Sequence, residues 1–444
     1  MPQNILVIGA GRSSSALINY VLKLAADRQG YVTVADADPE AAAHRINGHP
    51  NGRPAWLDVN KTNDRRELIG RADIVVSLLP AHLHIEVAQD CIRLKKNLIT
   101  ASYVSQELYR LGDEARDREL IFMGEMGLDP GIDHMSAMQK LDEIRNKGAK
   151  ITSFRSFTGG LIAPESDDNP WHYKFTWNPR NVVLAGQGTA QYLREGKLKF
   201  IPYQRLFSNP WKIEFPQLGP MEAYANRDSL LYRDQYNLHD IPTILRGTIR
   251  YPGFAHAWNA LIKLGLTDAG FPILDSEHIT YHELMEAFVP RGAGSVKDRV
   301  ADLLGEEPHS ETMEKLNWLG LFRKKKIGLP NATPAFILEN LLLDKWKLGP
   351  RDKDMIVMQH LIDYELEGKK IRCTSNMIMK GADADDTAMS RLVGLPMGIF
   401  VKLVLENKIK ATGVHIPTMP EVYNPVLKEM RDFGVRFEET EQEL

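Results

Sequence analysis

The first 125 residues alternate short apolar runs with stretches of helical periodicity. Between the first two runs, Leu17, Val21 and Leu24 recur at the spacing of one helix face. The apolar runs are typical of buried strands and occur at residues 4–8, 31–35, 55–58, 73–79, 97–101 and 120–124. Strands that alternate with helices predict a parallel, doubly wound sheet.

The pattern changes after residue 125. Residues 130–146 predict a helix with Asp129 as its N-cap and Pro130 in its first turn. A hairpin across Glu367–Lys369 and a last helix at 387–405 are also predicted, followed by a tail without a regular pattern. Longer alternating runs occur at 151–157, 197–202, 221–226 and 243–251, and mostly helical chain at 275–347.

These patterns predict an α/β fold with three parts. The first is an N-terminal Rossmann domain at 1–130, with a C-terminal return at about 385–444. The second is a mixed α/β domain at 131–270 and 350–384, and the third is a helical insertion at 271–349.

Composition indicates an ordinary globular protein, with 43% apolar residues, 25% charged residues and a net charge of −3. This balance argues against a nucleic-acid partner or a membrane-surface role. We expect no membrane span and no secretory signal, because no apolar run approaches twenty residues and no basic leader precedes the first strand. The cysteines, Cys91 and Cys373, show no metal-ligand spacing, so we expect no metal site and a cytoplasmic location.

A glycine-rich loop lies between the first strand and the first helix. Gly9 permits the tight turn, and Gly11 lets the backbone approach a pyrophosphate at the helix N-terminus. Ser14 replaces the third glycine of the usual pattern and is small enough for close packing. With Arg12 and Ser13 between them, these residues predict a dinucleotide site.

Asp36 ends the second strand, where an acid can accept hydrogen bonds from the ribose hydroxyls and would repel a 2′-phosphate. NAD is therefore favoured over NADP. Two alternatives stay open: Asp36 caps a turn with Asp38 and Pro39, or Arg12 meets a phosphate and makes NADP possible.

Ligands in such sheets lie at the carboxyl ends of the strands, which predicts further cofactor contacts. Asp58 and Val59 would approach the adenine, and Leu79 would border the ribose. Ser102 would approach the nicotinamide end.

Hydroxyls and arginines predict the substrate side. Ser102 and Tyr103 pair a hydroxyl with a phenol at a strand end, and Thr248 and Arg250 lie on one strand face. Arg227 and Arg250 would suit a polyacidic substrate, because arginine binds carboxylates through two hydrogen bonds. The alternative is that each arginine pairs with a nearby aspartate.

Trp177 ends a polar and aromatic loop and either walls a substrate pocket or belongs to the core.

The segment Gly124–His134 follows a buried strand and is rich in acids and glycines, which is typical of a site. Within it, Leu128 and Asp129 are expected to face cofactor and substrate. Asp129 is either an acid–base group or only a helix cap, and Asp133 and His134 are expected to support the segment.

The run Gly127–His134 resembles that of the saccharopine dehydrogenases of the L-glutamate-forming kind, also called saccharopine reductases. The resemblance keeps its order from residue 4 to about 430. Further similar runs are Gly159–Pro164, Asn169–Trp177, Asn226–Ser229, Arg246–Tyr251 and Trp318–Phe322.

The resemblance implies reversible, NAD(P)-dependent oxidation of saccharopine to L-glutamate and 2-aminoadipate 6-semialdehyde in lysine metabolism. It implies a homodimer whose mixed domain binds substrate and mediates dimerisation. Asp129 and Tyr103 are the acid–base candidates. The implied substrate contacts are Ser102, Tyr103, Asp129, Trp177, Arg227, Thr248 and Arg250, and the implied cofactor contacts are Gly9–Ser14, Asp36, Asp58, Val59, Leu128 and Asp129.

Fungal members of the family resemble NADP enzymes and carry a basic residue after the second strand. This chain has Asp36 there, which again favours NAD. Two other functions fit the pattern less well. One is a related carboxynorspermidine- or homospermidine-type reductase, and the other is a non-catalytic NAD-binding regulator.

Overall fold

The computed structural model describes residues 3–444, and the chain divides into two compact units. The first unit comprises residues 3–150 and 377–438, and the second comprises 151–376 and 439–444. The segment expected to form a helical insertion, 271–349, lies within the second unit. The three-part division stays a prediction.

Strands and helices are numbered in chain order. The strands are β1 (Asn4–Ile8), β2 (Tyr31–Asp36), β3 (Gly52–Trp56), β4 (Ile74–Ser77), β5 (Asn97–Thr100), β6 (Ile121–Met123), β7 (Lys150–Ile162), β8 (Ala190–Arg194), β9 (Lys197–Ile201), β10 (Trp211–Phe215), β11 (Gly219–Ala225), β12 (Thr243–Arg250), β13 (Asp354–Leu366), β14 (Lys369–Lys380), β15 (Gly413–His415) and β16 (Glu438–Glu443). The helices are α1 (Ser15–Asp27), α2 (Pro39–Ile46), α3 (Thr62–Gly70), α4 (His84–Leu94), α5 (Gln106–Arg110), α6 (Gly112–Asp117), α7 (Ile132–Asn146), α8 (Pro179–Leu184), α9 (Tyr232–Gln235), α10 (Phe254–Lys263), α11 (Tyr281–Phe288), α12 (Val296–Leu304), α13 (Glu311–Leu319), α14 (Pro334–Lys345), α15 (Ala388–Leu405) and α16 (Pro420–Met430).

The first unit contains a parallel sheet in the order β3-β2-β1-β4-β5-β6-β15. Every residue of β1 and of β4 is buried, as expected of central strands covered by helices on both faces. The parallel register brings the carboxyl ends of β1, β2, β4 and β5 to one edge, where ligands bind in such sheets. The predicted α/β class with a Rossmann domain is confirmed.

The second unit contains a mixed sheet in the order β10-β11-β12-β7-β13-β14-β16, with β8 pairing to β12 and β9. Strand β12 is parallel to β7 and antiparallel to β11. The predicted hairpin between β13 and β14 is present. It turns across Glu367 and Gly368, whose φ values of 51° and 78° are those of a tight hairpin turn.

The start of α7 differs from the prediction. The helix begins at Ile132 with Gly131 as its N-cap, so the prediction that Asp129 caps it is wrong. The Asp129–Pro130 peptide is cis, and it lies in a turn in which Gly127 N donates to the Pro130 carbonyl. The Asp133 carboxylate, in the first turn of α7, accepts a hydrogen bond from Gly131 N at 2.6 Å, and an acid is favourable at a helix N-terminus.

The expectation of a tail without regular structure is also wrong. Strand β15 joins the edge of the first sheet beside β6, α16 follows it, and β16 joins the second sheet. Strand β15 has only three residues, too few to show a periodic pattern in the sequence.

Helix α15 is long and apolar enough to cross a membrane by length and composition, with a mean hydropathy of 1.6 over 18 residues. Within the protein, 72% of this helix is buried. It packs on α1 through Gly394 and Gly398, where an added Cβ would lie 2.6 Å from Leu17 N and from the Tyr20 ring. The apolar face of α15 is therefore covered by residues of the first unit.

Candidate active site

The glycine loop after β1 makes a tight turn before α1. Gly9 has φ +110°, and an added Cβ would lie 3.1 Å from Leu78, so this position needs glycine. A Cβ on Gly11 would meet nothing within 4 Å, which leaves open space for a phosphate beside the backbone. Ser14 is buried at the start of α1, and its hydroxyl donates to the Gly11 carbonyl at 2.8 Å. Arg12 is exposed on this loop.

Asp36 stabilises the same loop. Its Oδ2 accepts a hydrogen bond from Ala10 N at 2.7 Å, and its Oδ1 accepts one from Asp38 N at 2.9 Å. Asp38 in turn caps α2. Both carboxylate oxygens of Asp36 therefore bind the backbone, which is the turn-capping alternative.

The segments expected near the adenine and the ribose follow β3 and β4. Asp58 folds onto Asn60, accepting its backbone N–H at 3.1 Å. The Val59 carbonyl accepts a hydrogen bond from the buried Arg65, which forms an ion pair with Asp90 at 2.7 Å. Leu79 is half-buried against the core.

Ser102, Tyr103 and Asp129 come together in the first unit. The segment after β5 carries the first two, and the turn after β6 carries Asp129. The Tyr103 hydroxyl donates to Asp129 Oδ1 at 3.3 Å. All three are half-buried, so they can be reached by a ligand. Leu128 is buried beside them in sequence, and its carbonyl accepts from Asp133 N.

Buried ionisable groups tie these two segments together. The Glu125 carboxylate accepts a hydrogen bond from Val104 N at 3.1 Å and lies 2.8 Å from His134 Nε2. Asp133 lies 3.8 Å from the other ring nitrogen of His134. This cluster joins the residue that follows Tyr103 to the turn that carries Asp129.

Sequence reasoning missed His84, which is buried at the start of α4. Its Nδ1 lies 3.0 Å from the Ser77 hydroxyl, and its Nε2 lies 2.8 Å from that of Ser102 and 3.1 Å from that of Thr100. Burial lowers the pKa of His84 to about 4, with a smaller contribution from His82. No motif marks this histidine in the sequence, because its partners come from two different strand ends.

This pKa shift predicts a pH-dependent stability. The unfolded chain has the ordinary histidine pKa of 6.5 and binds more protons than the folded chain between pH 6.5 and about 4. The contribution of His84 to the free energy of unfolding is therefore fully present above pH 6.5 and is lost as the pH falls towards 4. We expect His84→Gln to remove about 3 kcal/mol of this loss, measured by urea unfolding at pH 7.5 and 4.5. Parallel pH curves for the two proteins would contradict this.

In the second unit, Arg250 lies inside an aromatic cluster. Its guanidinium carbon is 5.2 Å from the ring centre of Tyr173, 5.4 Å from that of Phe254 and 5.9 Å from that of Tyr224. The residue is 6% exposed. Nη1 donates to the Ile249 carbonyl at 2.8 Å, whereas the buried Nε has no hydrogen-bond partner.

Thr248 and Trp177 belong to the same cluster. Thr248 pairs across the strands with Tyr224, and their side chains form a hydrogen bond. The Trp177 indole donates to the Tyr173 hydroxyl at 3.2 Å. Arg227, by contrast, is exposed in the loop after β11, with a left-handed φ of 50°.

Glu222 holds the turn that follows Arg250. Its carboxylate accepts hydrogen bonds from Gly253 N at 3.2 Å and Ala255 N at 2.5 Å, at the first turn of α10. Burial raises the pKa of this carboxyl group, which the two backbone N–H groups partly offset. The start of the helix that carries Phe254 is thereby held to β11, where Glu222 pairs with Arg250 of β12.

The Tyr103–Asp129 pair of the first unit and Arg250 of the second unit offer different chemistry. The Tyr103–Asp129 pair can hold or move a proton, and the buried guanidinium can bind a carboxylate. Among residues 3–444, no group of three or more histidines, cysteines or acids has the arrangement of a metal site.

Comparison with known proteins adds two family models. The model of a saccharopine dehydrogenase NADP binding domain matches residues 5–123, and that of a saccharopine dehydrogenase C-terminal domain matches residues 127–435. The saccharopine dehydrogenase (NADP(+), L-glutamate-forming) of Pyricularia oryzae is 33% identical over 451 residues, which cover 98% of each chain.

Solved structures give the same picture. The apo saccharopine dehydrogenase (L-Glu forming) from Saccharomyces cerevisiae superposes with a TM-score of 0.88 at 31% identity, covering 99% of this chain and 100% of that one. The homospermidine synthase of Legionella pneumophila in complex with NAD has a TM-score of 0.57 at 10% identity, covering 100% and 92%. That second likeness shows the fold alone.

The prediction that NAD is favoured over NADP is wrong. The matching model is that of an NADP binding domain, and the Pyricularia relative is named for NADP(+). The prediction treated the Asp36 carboxylate as directed at the ribose. In the structure its oxygens accept hydrogen bonds from Ala10 N and Asp38 N, so an acid at this position has a role in holding the loop.

Proposed function

Because the chain belongs to the saccharopine dehydrogenase family, we propose that it oxidises saccharopine to L-glutamate and 2-aminoadipate 6-semialdehyde with NADP, reversibly, in lysine metabolism. The names of its relatives, and the nearly full length over which the chain matches them, support the reaction and the cofactor. We also propose that it acts as a homodimer, as the resemblance implies, and that it lies in the cytoplasm, as the spacing of its two cysteines predicts.

The observation that carries the proposal is the state of Arg250. A buried guanidinium is costly unless an anion compensates it. Among the described residues, no ion pair includes Arg250, and its Nε lacks a hydrogen-bond partner. Saccharopine carries three carboxylates, and one of them would supply the missing anion.

The aromatic side chains around Arg250 strengthen that argument. They exclude water, which makes a guanidinium–carboxylate contact stronger than it would be at the surface. The indole N–H groups of Trp258 and Trp346, in the same cluster, are also buried without a partner. The cluster therefore has donors to offer to an acidic ligand.

The glycine loop fits the pyrophosphate of the cofactor. Gly11 leaves room for a phosphate, and the N-terminus of α1 supplies backbone N–H groups. Exposed Arg12 is the basic side chain that this loop offers to a further phosphate. When bound, NADP would accept a hydride from the substrate carbon that corresponds to the lysine ε position and bears the secondary amine.

The remaining steps need proton transfer from side chains. Asp129 would take the proton of the substrate amine, and Tyr103 would hold that carboxylate through its hydroxyl. As the C–H and N–H bonds are lost, a C=N bond forms in the substrate. Water then adds to this bond, and cleavage of C–N releases glutamate and the aldehyde, with Asp129 returning the proton to the leaving amine.

Reduction of NADP by the purified protein with saccharopine tests the proposal. NAD serves as the parallel cofactor, and carboxynorspermidine and homospermidine serve as parallel substrates. We expect turnover with saccharopine and NADP and none with the two polyamines. NADP binding without turnover of any substrate would refute the proposed reaction and favour a non-catalytic role.

Replacing Asp36 tests its assignment to the loop. Asparagine keeps one acceptor but presents an NH₂ group to the second backbone N–H, so Asp36→Asn should raise the dissociation constant for NADPH about tenfold. Fluorescence titration measures it. Asp38→Asn is the control, because asparagine also caps helices well. Tighter NADPH binding by Asp36→Asn would instead show that the carboxylate repels the 2′-phosphate.

A further inference from the structure

His84 joins the carboxyl ends of two neighbouring central strands. Ser77 ends β4 and pairs in register with Thr100, which ends β5. The imidazole lies within hydrogen-bond distance of both of their hydroxyls and of the Ser102 hydroxyl, two residues beyond β5. These contacts occur at the sheet edge where cofactors bind in such folds.

The segment after β5 has left the sheet, and its backbone is held by Glu125 N, which donates to the Ser102 carbonyl at 3.0 Å. Ser102 N donates to the Thr100 hydroxyl oxygen at 3.1 Å, and the Ser102 hydroxyl lies 2.8 Å from His84 Nε2. Tyr103, which follows directly, donates to Asp129. The orientation of Ser102 therefore bears on the position of the Tyr103–Asp129 pair.

A neutral imidazole carries one donor and one acceptor nitrogen. With Nδ1 beside Ser77 and Nε2 beside Ser102 and Thr100, both nitrogens are used inside the protein. The ring thus has no free nitrogen to offer a ligand, so it acts on the reaction only through the hydroxyls that it holds.

We propose that His84 is a positioning residue for the reaction: its imidazole holds the Ser102 hydroxyl, and with it the Ser102–Tyr103 segment, in the orientation that catalysis requires. This role rests on the proposed function. It differs from a structural role in one respect, because only the Nε2 side of the ring should matter for turnover.

Substitution of His84 by glutamine or by asparagine distinguishes the roles of the two ring nitrogens. Glutamine places its amide where Nε2 lies, and asparagine places its amide where Nδ1 lies. His84→Asn keeps a partner for Ser77 and loses Ser102, so we expect kcat to fall about tenfold or more. His84→Gln keeps a partner for Ser102 and should stay within about threefold of the wild type.

The experiment measures kcat and the Michaelis constants for saccharopine and NADP in both variants, with circular dichroism to verify folding. The double variant His84→Asn/Ser102→Ala should be no slower than Ser102→Ala alone, because the histidine acts through that hydroxyl. Equal kcat in the two His84 variants, or additive losses in the double variant, would overturn the role. Absence of saccharopine turnover in the wild type would refute the proposed function instead.

Discussion

Replacing Asp129 by asparagine is expected to lower kcat for saccharopine oxidation about 100-fold or more, with a smaller change in the Michaelis constants. Asparagine is nearly isosteric with aspartate and can still accept a hydrogen bond from the Tyr103 hydroxyl, but it cannot take the proton of the substrate amine. General acid–base groups typically contribute about 10²- to 10⁴-fold to rate. Initial rates with saccharopine and NADP each varied in turn measure the effect.

Tyr103→Phe is the matched comparison. It removes the hydroxyl that lies 3.3 Å from Asp129 Oδ1 and leaves the carboxylate in place. We expect a loss of about tenfold, the size of one hydrogen bond to a charged group. If Asp129→Asn kept a turnover number near that of the wild type, the acid–base assignment would be wrong.

Replacing Arg250 by alanine is expected to raise the Michaelis constant for saccharopine about 100-fold, while that for NADP changes little. The guanidinium is buried among aromatic rings with an unpartnered Nε, so a bound carboxylate would gain a strong, water-excluded contact. Arg250→Lys should recover only part of the loss, because an ammonium group lacks the planar fork of arginine. Steady-state kinetics with each substrate varied in turn separates the two constants.

Arg372→Ala is the control for this prediction. Arg372 lies in the same unit, but its guanidinium already pairs with Asp363, with Nε 2.6 Å from Oδ1. Its removal should leave the saccharopine constant within about twofold, because Asp363 already pairs with this guanidinium and leaves it no role in holding a substrate carboxylate. Equal increases in the saccharopine and NADP constants for Arg250→Ala would sink the carboxylate-binding assignment.

The parallel sheet was predictable because its signals are local. Runs such as Ile5–Ile8 and Ile74–Val76 are apolar at every position, and helical spacing lies between such runs. The glycine loop was predictable for the same reason, since Gly9 needs a positive φ that few other residues adopt.

Other features depend on partners distant in sequence. Asp36 was predicted to bind the ribose because the sequence does not show its true partner. Its hydrogen bond with Ala10 N spans 26 residues of chain. The cap of α7 was misassigned to Asp129, since a turn closed between Gly127 and Pro130 moves the helix start to Ile132.

The sequence by itself determined the α/β class, the dinucleotide loop and the family, because short-range patterns and long similar runs carry them. Only the tertiary structure decided which polar groups are already satisfied. It revealed that Asp36 and His84 form hydrogen bonds with other groups of the protein, while the buried Arg250 has a nitrogen without a hydrogen-bond partner. Burial and hydrogen bonding depend on what packs around a side chain, and that is a property of the folded chain rather than of any local pattern.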